Sequence, residues 1–210
     1  MYTLLMLQTL FESPLAFFLS ALSLIIAVTL HEFSHAFTAD RLGDPTPRSQ
    51  GRLSLNPLVH LDPLGTLSLF LIGFGWGKPV QFDPYNLKSP RRDSALISLA
   101  GPISNILLAT LIAIIARNFL DPAIASFTLP FIYVNVILAI FNLVPIGPLD
   151  GQKIVFGLLP RDLAYEYQSV MSRYGTLILI FFLLPFFGST PPIQSLIGPV
   201  INLVLRLLLG

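Results

Sequence analysis

Cysteine is absent from the 210-residue chain. That excludes a disulfide framework, thiolate ligation of a metal and a cysteine nucleophile. Any metal site must then draw on histidine, aspartate or glutamate. Charge is scarce too: Asp, Glu, Lys and Arg make up 11% of the residues, against about 25% in ordinary soluble domains. Hydrophobic residues reach 54% and mean hydropathy is +0.77, so the solvent of this chain is largely lipid. The net charge is only +1 and no basic face emerges, so nucleic acid is not an expected partner. Residues 1–12 lack a basic start and do not read as a cleaved signal peptide. Their apolar run is also too short to span a bilayer; it would lie in the interface or extend the first helix.

What is present is a series of apolar runs separated by proline and glycine. Ser13-Pro14 opens a helix whose apolar body, Leu15 to Ala39, is long enough to span, and Gly43-Asp44-Pro45 stops it. Residues 40–92 hold seven of the twelve basic residues and, before Ser89, six prolines, which predicts turns and short extended pieces. Within them Gly65 to Phe74 is apolar but short, a re-entrant or interfacial element. The glycines of residues 73–78 lack phosphate-loop spacing and predict a surface turn. Ser89-Pro90 opens a second span with its body at Ala95–Ala116, kinked at Pro102, with Asn105 about one turn later. A third span, Phe127 to Val144, ends in an unwound stretch from Asn142 to Gly151. Residues 152–173 read as a surface connection with an amphipathic helix near Leu163–Met171, followed by apolar runs at Tyr174–Phe187 and Ile193–Leu209. The expected fold is an all-α membrane protein, a polytopic helical bundle of five to six membrane segments, with a short irregular, β-containing re-entrant region at residues 45–90. Residues 1–210 are expected to form a single polytopic membrane domain without a separate soluble one.

The chemistry sits at His31-Glu32-Phe33-Ser34-His35. Residues i and i+4 share a helix face, so His31 and His35 are placed to grip one ion, and Glu32 to reach a water on it, the mechanics of the H-E-x-x-H zinc motif. Ionisable groups in an apolar segment are expensive and mark function. Lys and Arg bias puts residues 40–92 and 152–173 on the cytoplasmic side, with the N-terminus outside. His31, His35 and Asp150 then lie at comparable depth near the cytoplasmic ends of their helices. Three protein ligands leave a fourth position for water, the arrangement of a catalytic zinc. A divalent-metal transporter would need a polar track across the bilayer, and a non-catalytic metal-binding membrane protein would not need Glu32 between its ligands. His60 and Asp62 fit an interfacial turn, with Asp62 capping the element after Pro63, or a second metal site or proton path.

These residues resemble the site-2 protease family of intramembrane zinc metalloproteases. The likeness rests on His31 to His35, on Gly101-Pro102-Ile103-Ser104-Asn105, and on Asn142 through Gly151 ending Pro148-Leu149-Asp150-Gly151. Arg52 to Pro57 and Asp62 to Gly65 add to it, so the resemblance spans roughly residues 20–160. It implies that His31, His35 and Asp150 bind one Zn2+ and that Glu32 activates the water. Asn105 and Asn142 match asparagines that hold the substrate backbone or the oxyanion, with interhelical hydrogen bonds as the alternative. The implied activity is hydrolysis of peptide bonds within or near transmembrane segments of membrane-protein substrates, in the cell membrane, with the active site toward the cytoplasm. The implied partners are substrate helices and lipid; self-association is left open. No PDZ-like insertion or appended regulatory domain is expected.

Overall fold

The computed structural model describes residues 12–72, 75–185 and 190–210. The expectations for residues 1–11 and for the Gly73–Phe74 part of the glycine turn lie outside the described residues. Among the described residues seven principal helices follow in order: α1 Pro14–Leu42, α2 Pro63–Ile72, α3 Pro90–Phe119, α4 Leu129–Asn142, α5 Asp150–Leu158, α6 Arg161–Leu183 and α7 Pro192–Leu209. Proline stands at the start of α1, α3 and α7, where its missing N–H costs nothing. A five-residue helix, Pro122–Ser126, leads into α4.

Among the described residues four helical stretches are long and apolar enough to cross a membrane: Pro14–Leu42, Pro90–Phe119, Pro122–Asn142 and Pro192–Leu209. The five to six segments of the sequence reading are therefore not all found. The difference lies in α6. The apolar run from Tyr174 is not a separate span but the second half of a helix whose first half carries Arg161, Asp162, Glu166 and Arg173. No break separates the two halves because no proline or turn signal lies between them. The expected β content of residues 45–90 is likewise not found as strands; among the described residues it is one bridge, Leu61 with Gly77. The frequent prolines there give short helical turns at Thr46–Ser49, Pro57–Val59 and Pro84–Asn86 instead. Pro102 lies inside α3, which continues as helix on both sides of it.

The end of α1 is closely specified. Gly43 takes φ +108°, Gly43 N–H donates to Asp40 O and Asp44 N–H to Ala39 O, the paired bonds that close a helix at glycine. Asp44, fully buried, then knots the chain. Its carboxylate accepts from Thr46 N and Oγ1 (3.1 and 2.6 Å), Asn86 Nδ2 (2.8 Å) and Asp83 N (2.7 Å). Burial alone pushes this carboxyl up, but the bonds from Thr46, Asn86 and Asp83 outweigh it and hold the group below its ordinary value. Its stabilisation is thus complete above about pH 4 and is lost as pH falls through the lower folded value. Asp44→Asn, which turns an NH2 toward donors, is expected to cost about 1–3 kcal/mol of unfolding free energy at neutral pH. Denaturant titration in detergent reads this, and the gap to the parent should shrink in acid; a gap independent of pH contradicts the account.

Among the described residues the core is built in three parts, one of which joins Ala39 of α1 and Ile97 of α3 to Leu87. Ala109 and Ala113 of α3 let α4 (Ile132, Val136) and α7 (Leu205) approach closely. Val144 and Ile146, in the link between α4 and α5, pack with Leu179 of α6 and Ile193 of α7. In that link Gly147 lies against Gly175 of α6, where a Cβ would meet its backbone at 2.9–3.1 Å. The link that delivers Asp150 is therefore held from outside the bundle.

Candidate metal centre

Helix α1 projects His31 and His35 from one face, and their rings meet edge to face at 4.6 Å between centroids. That face is buried, leaving His31 4% and His35 7% exposed. Asp150, the first residue of α5, arrives from 119 positions downstream of His31. Its Oδ2 lies 3.0 Å from His31 Nε2 and 3.2 Å from His35 Nε2. Two glycines allow this approach. At Gly151 a Cβ would fall 2.3–2.4 Å from the carbonyl oxygens of Val144 and Leu143, so only glycine lets α5 start so close to the end of α4. At Gly101 of α3 a Cβ would fall 2.5–2.7 Å from His35 Nε2 and Cε1 and from His31 Cε1. Arg91 of α3 fixes the far end of α5 by donating to the carbonyls of Phe156 (3.0 Å) and Leu159.

The outer nitrogens of both rings are tied. His35 Nδ1 lies 2.7 Å from the carbonyl of Ile97, which only accepts, so Nδ1 donates. His31 Nδ1 lies 2.7 Å from Asn105 Oδ1. Asn105 donates both amide hydrogens, to Ala27 O (3.0 Å) and to Asn135 Oδ1 (2.8 Å), which assigns its oxygen as the acceptor from His31. Neutral rings so held present both Nε2 lone pairs to a carboxylate oxygen. A cation bound there would meet three donor atoms, two ring nitrogens and one carboxylate oxygen. The ligand atoms lie within 4.8 Å of one another, and a donor set of two nitrogens and one carboxylate oxygen suits a zinc ion with a position left open.

Glu32, half-buried, faces the segment after α2 and accepts from Val80 N–H at 2.9 Å through Oε2. Asn142 ends α4 and donates to Leu138 O (3.0 Å) on its own helix. His60 is fully buried with Nε2 on Ser54 O (2.7 Å), and among the described residues it belongs to no metal-binding group. Asp62 caps α2 by accepting from Gly65 N–H (2.8 Å), as the sequence suggests. The sequence reading misses Asn135, fully buried against Asn105. An asparagine inside the apolar run of α4 was the available signal.

Residues 113–182 match the profile described as Peptidase family M50. The chain is 36% identical over 174 residues to "Putative zinc metalloprotease YwhC" of Bacillus subtilis, covering 78% of this chain and 80% of that relative. It is 35% identical over 172 residues to "Putative zinc metalloprotease Rip2" of Mycolicibacterium smegmatis, covering 76% and 64%. Similarity extends to "Zinc metalloprotease MJ0392" of Methanocaldococcus jannaschii, 23% identical over 166 residues, covering 77% and 40%. No solved structure matches the chain.

Proposed function

Because the chain belongs to peptidase family M50, the site-2 protease family its sequence resembles, we propose that it is a zinc metalloendopeptidase that cuts other membrane proteins within or near their transmembrane segments. The observation that carries this reading is the convergence of His31 Nε2, His35 Nε2 and Asp150 Oδ2 on a helix apolar enough to span, with Glu32 next to the first ligand.

His31, His35 and Asp150 would hold the zinc ion. When bound, that ion supplies Lewis acidity, lowering the pKa of its water toward about 7 and polarising the scissile carbonyl. Glu32 takes the proton from the attacking water and delivers it to the leaving amine nitrogen. Asn105 orients His31, since both its amide hydrogens are committed elsewhere. Asn142, half-buried at the end of α4, holds the substrate backbone or the oxyanion. A substrate helix hides its amides in its own hydrogen bonds and must unwind locally to be cut. The non-helical pieces between residues 40 and 92 offer backbone on which the unwound piece lies as an added strand. The Lys and Arg bias places this site toward the cytoplasm.

Two measurements bear on this directly. Purified protein in vesicles should cut a reconstituted membrane-spanning substrate inside or at the edge of its apolar segment, lose that cleavage to a zinc chelator and regain it with added zinc. Cleavage confined to water-exposed loops, or indifferent to the chelator, overturns the reading. Asn105→Ala should weaken zinc binding by about 10–100-fold in chelator competition, the usual effect of removing a ligand's outer hydrogen bond. Parental affinity would return Asn105 to a packing role.

A further inference from the structure

Arg52 is buried, 4% exposed, in a turn region outside the spans. A buried cation is costly unless its donors are satisfied. This one is satisfied by backbone carbonyls: Nη1 donates to Val59 O, and Nη2 donates to Lys78 O (3.1 Å) and Pro79 O (3.0 Å). One guanidinium thus clamps the segment before α2 to the segment after it. The second segment is also tied through its own backbone N–H groups. Lys78 N–H donates to His60 O (2.7 Å), Pro79 has no N–H, and Val80 N–H is spent on Glu32 Oε2 (2.9 Å). Gly77 lies against α1 beside that carboxylate, where a Cβ would meet Val28 Cγ1 at 2.9 Å and lie 3.9 Å from Glu32 Oε1.

We propose that Arg52 is a positioning residue: through the carbonyls of Lys78 and Pro79 it sets the Val80 N–H that holds Glu32 in place. The inference rests on the assignment of Glu32 as the proton-transferring group. The planar fork of arginine reaches carbonyls on two segments at once, which a lysine ammonium does not reproduce. Glu32 in turn lies beside His31 without being a ligand, so a fixed hydrogen bond is what sets its orientation. Burial pushes the guanidinium below its ordinary value while the charge of Glu32 offsets part of this, consistent with the two groups sharing one environment.

The test uses the full-length protein in detergent or vesicles with a membrane-spanning peptide substrate. Arg52→Lys should lower kcat at least tenfold and leave KM within twofold, with one zinc per chain retained. Hydrogen exchange of the peptide covering residues 78–83 should accelerate at least tenfold while exchange in α1 stays unchanged. Val80→Pro removes the donor without touching Arg52 and should give a comparable kcat loss, the double variant being no slower than the slower single one. A parental kcat in either single variant, a change confined to KM, or multiplying defects overturns the proposal. Glu32→Gln separates the two readings: if it cleaves at the parental rate, the assignment of Glu32 itself is lost. If it is inactive while Arg52→Lys is normal, only the Arg52 inference fails.

Discussion

Glu32→Gln is expected to lower kcat by about 10²–10⁴-fold, the range that a positioned proton-transfer group supplies. Zinc content should stay at the parental value, because Glu32 is not among the three converging ligands. The fold should stay as well. Glutamine is isosteric, and its amide oxygen still accepts from Val80 N–H, the hydrogen bond that ties this side chain to the segment after α2. What glutamine lacks is basicity. The variant therefore separates binding from chemistry: KM near the parental value with kcat collapsed indicates an interaction made in the transition state. Single-turnover cleavage of a membrane-spanning substrate is the measurement, and undiminished turnover would remove the mechanism altogether.

Gly101→Ala is expected to abolish zinc binding, and with it all cleavage. Most glycine-to-alanine changes inside a helix stabilise it by roughly 1 kcal/mol. Here the added methyl would lie 2.5 Å from His35 Nε2 and 2.6–2.7 Å from carbon atoms of both rings. Those rings have nowhere to retreat, since each is tied behind, to Ile97 O and to Asn105 Oδ1. The methyl thus occupies the volume that the metal needs. The expected pattern is a protein that inserts, is less stable than the parent and retains no zinc after dialysis. Stoichiometric zinc in the purified variant would show that α3 shifts outward and that the cradle is softer than its distances imply.

Much of this site is legible in the residues. The i, i+4 pair on a helix dictates that His31 and His35 share a face, and the prolines and glycines of residues 145–151 argue that Asp150 lies in an unwound stretch and does not face lipid, though they do not reveal the helix that starts there. Three features are not legible. The length of α6 hides because an amphipathic first half and an apolar second half read as two elements when no proline parts them. The β content expected of residues 45–90 rests on proline frequency, and proline serves short helical turns as readily as extended pieces. The task of Asn105 depends on what stands opposite it. Only the packing of α3 between α1 and α4 shows both its amide hydrogens already used, on Ala27 O and Asn135 Oδ1.

The distance in sequence between the first and last ligands has a consequence for biogenesis. His31 leaves the ribosome 119 residues ahead of Asp150, a lag of roughly 6–24 s at about 5–20 residues per second. During that interval α1 and α3 enter the bilayer with the imidazole pair but without the carboxylate. On the proposed ligand assignment, a nascent chain in this condition holds an incomplete metal site. On that assignment the site is completed only once α4 is inserted and α5 has docked, so the order of synthesis acts as a timed safety catch.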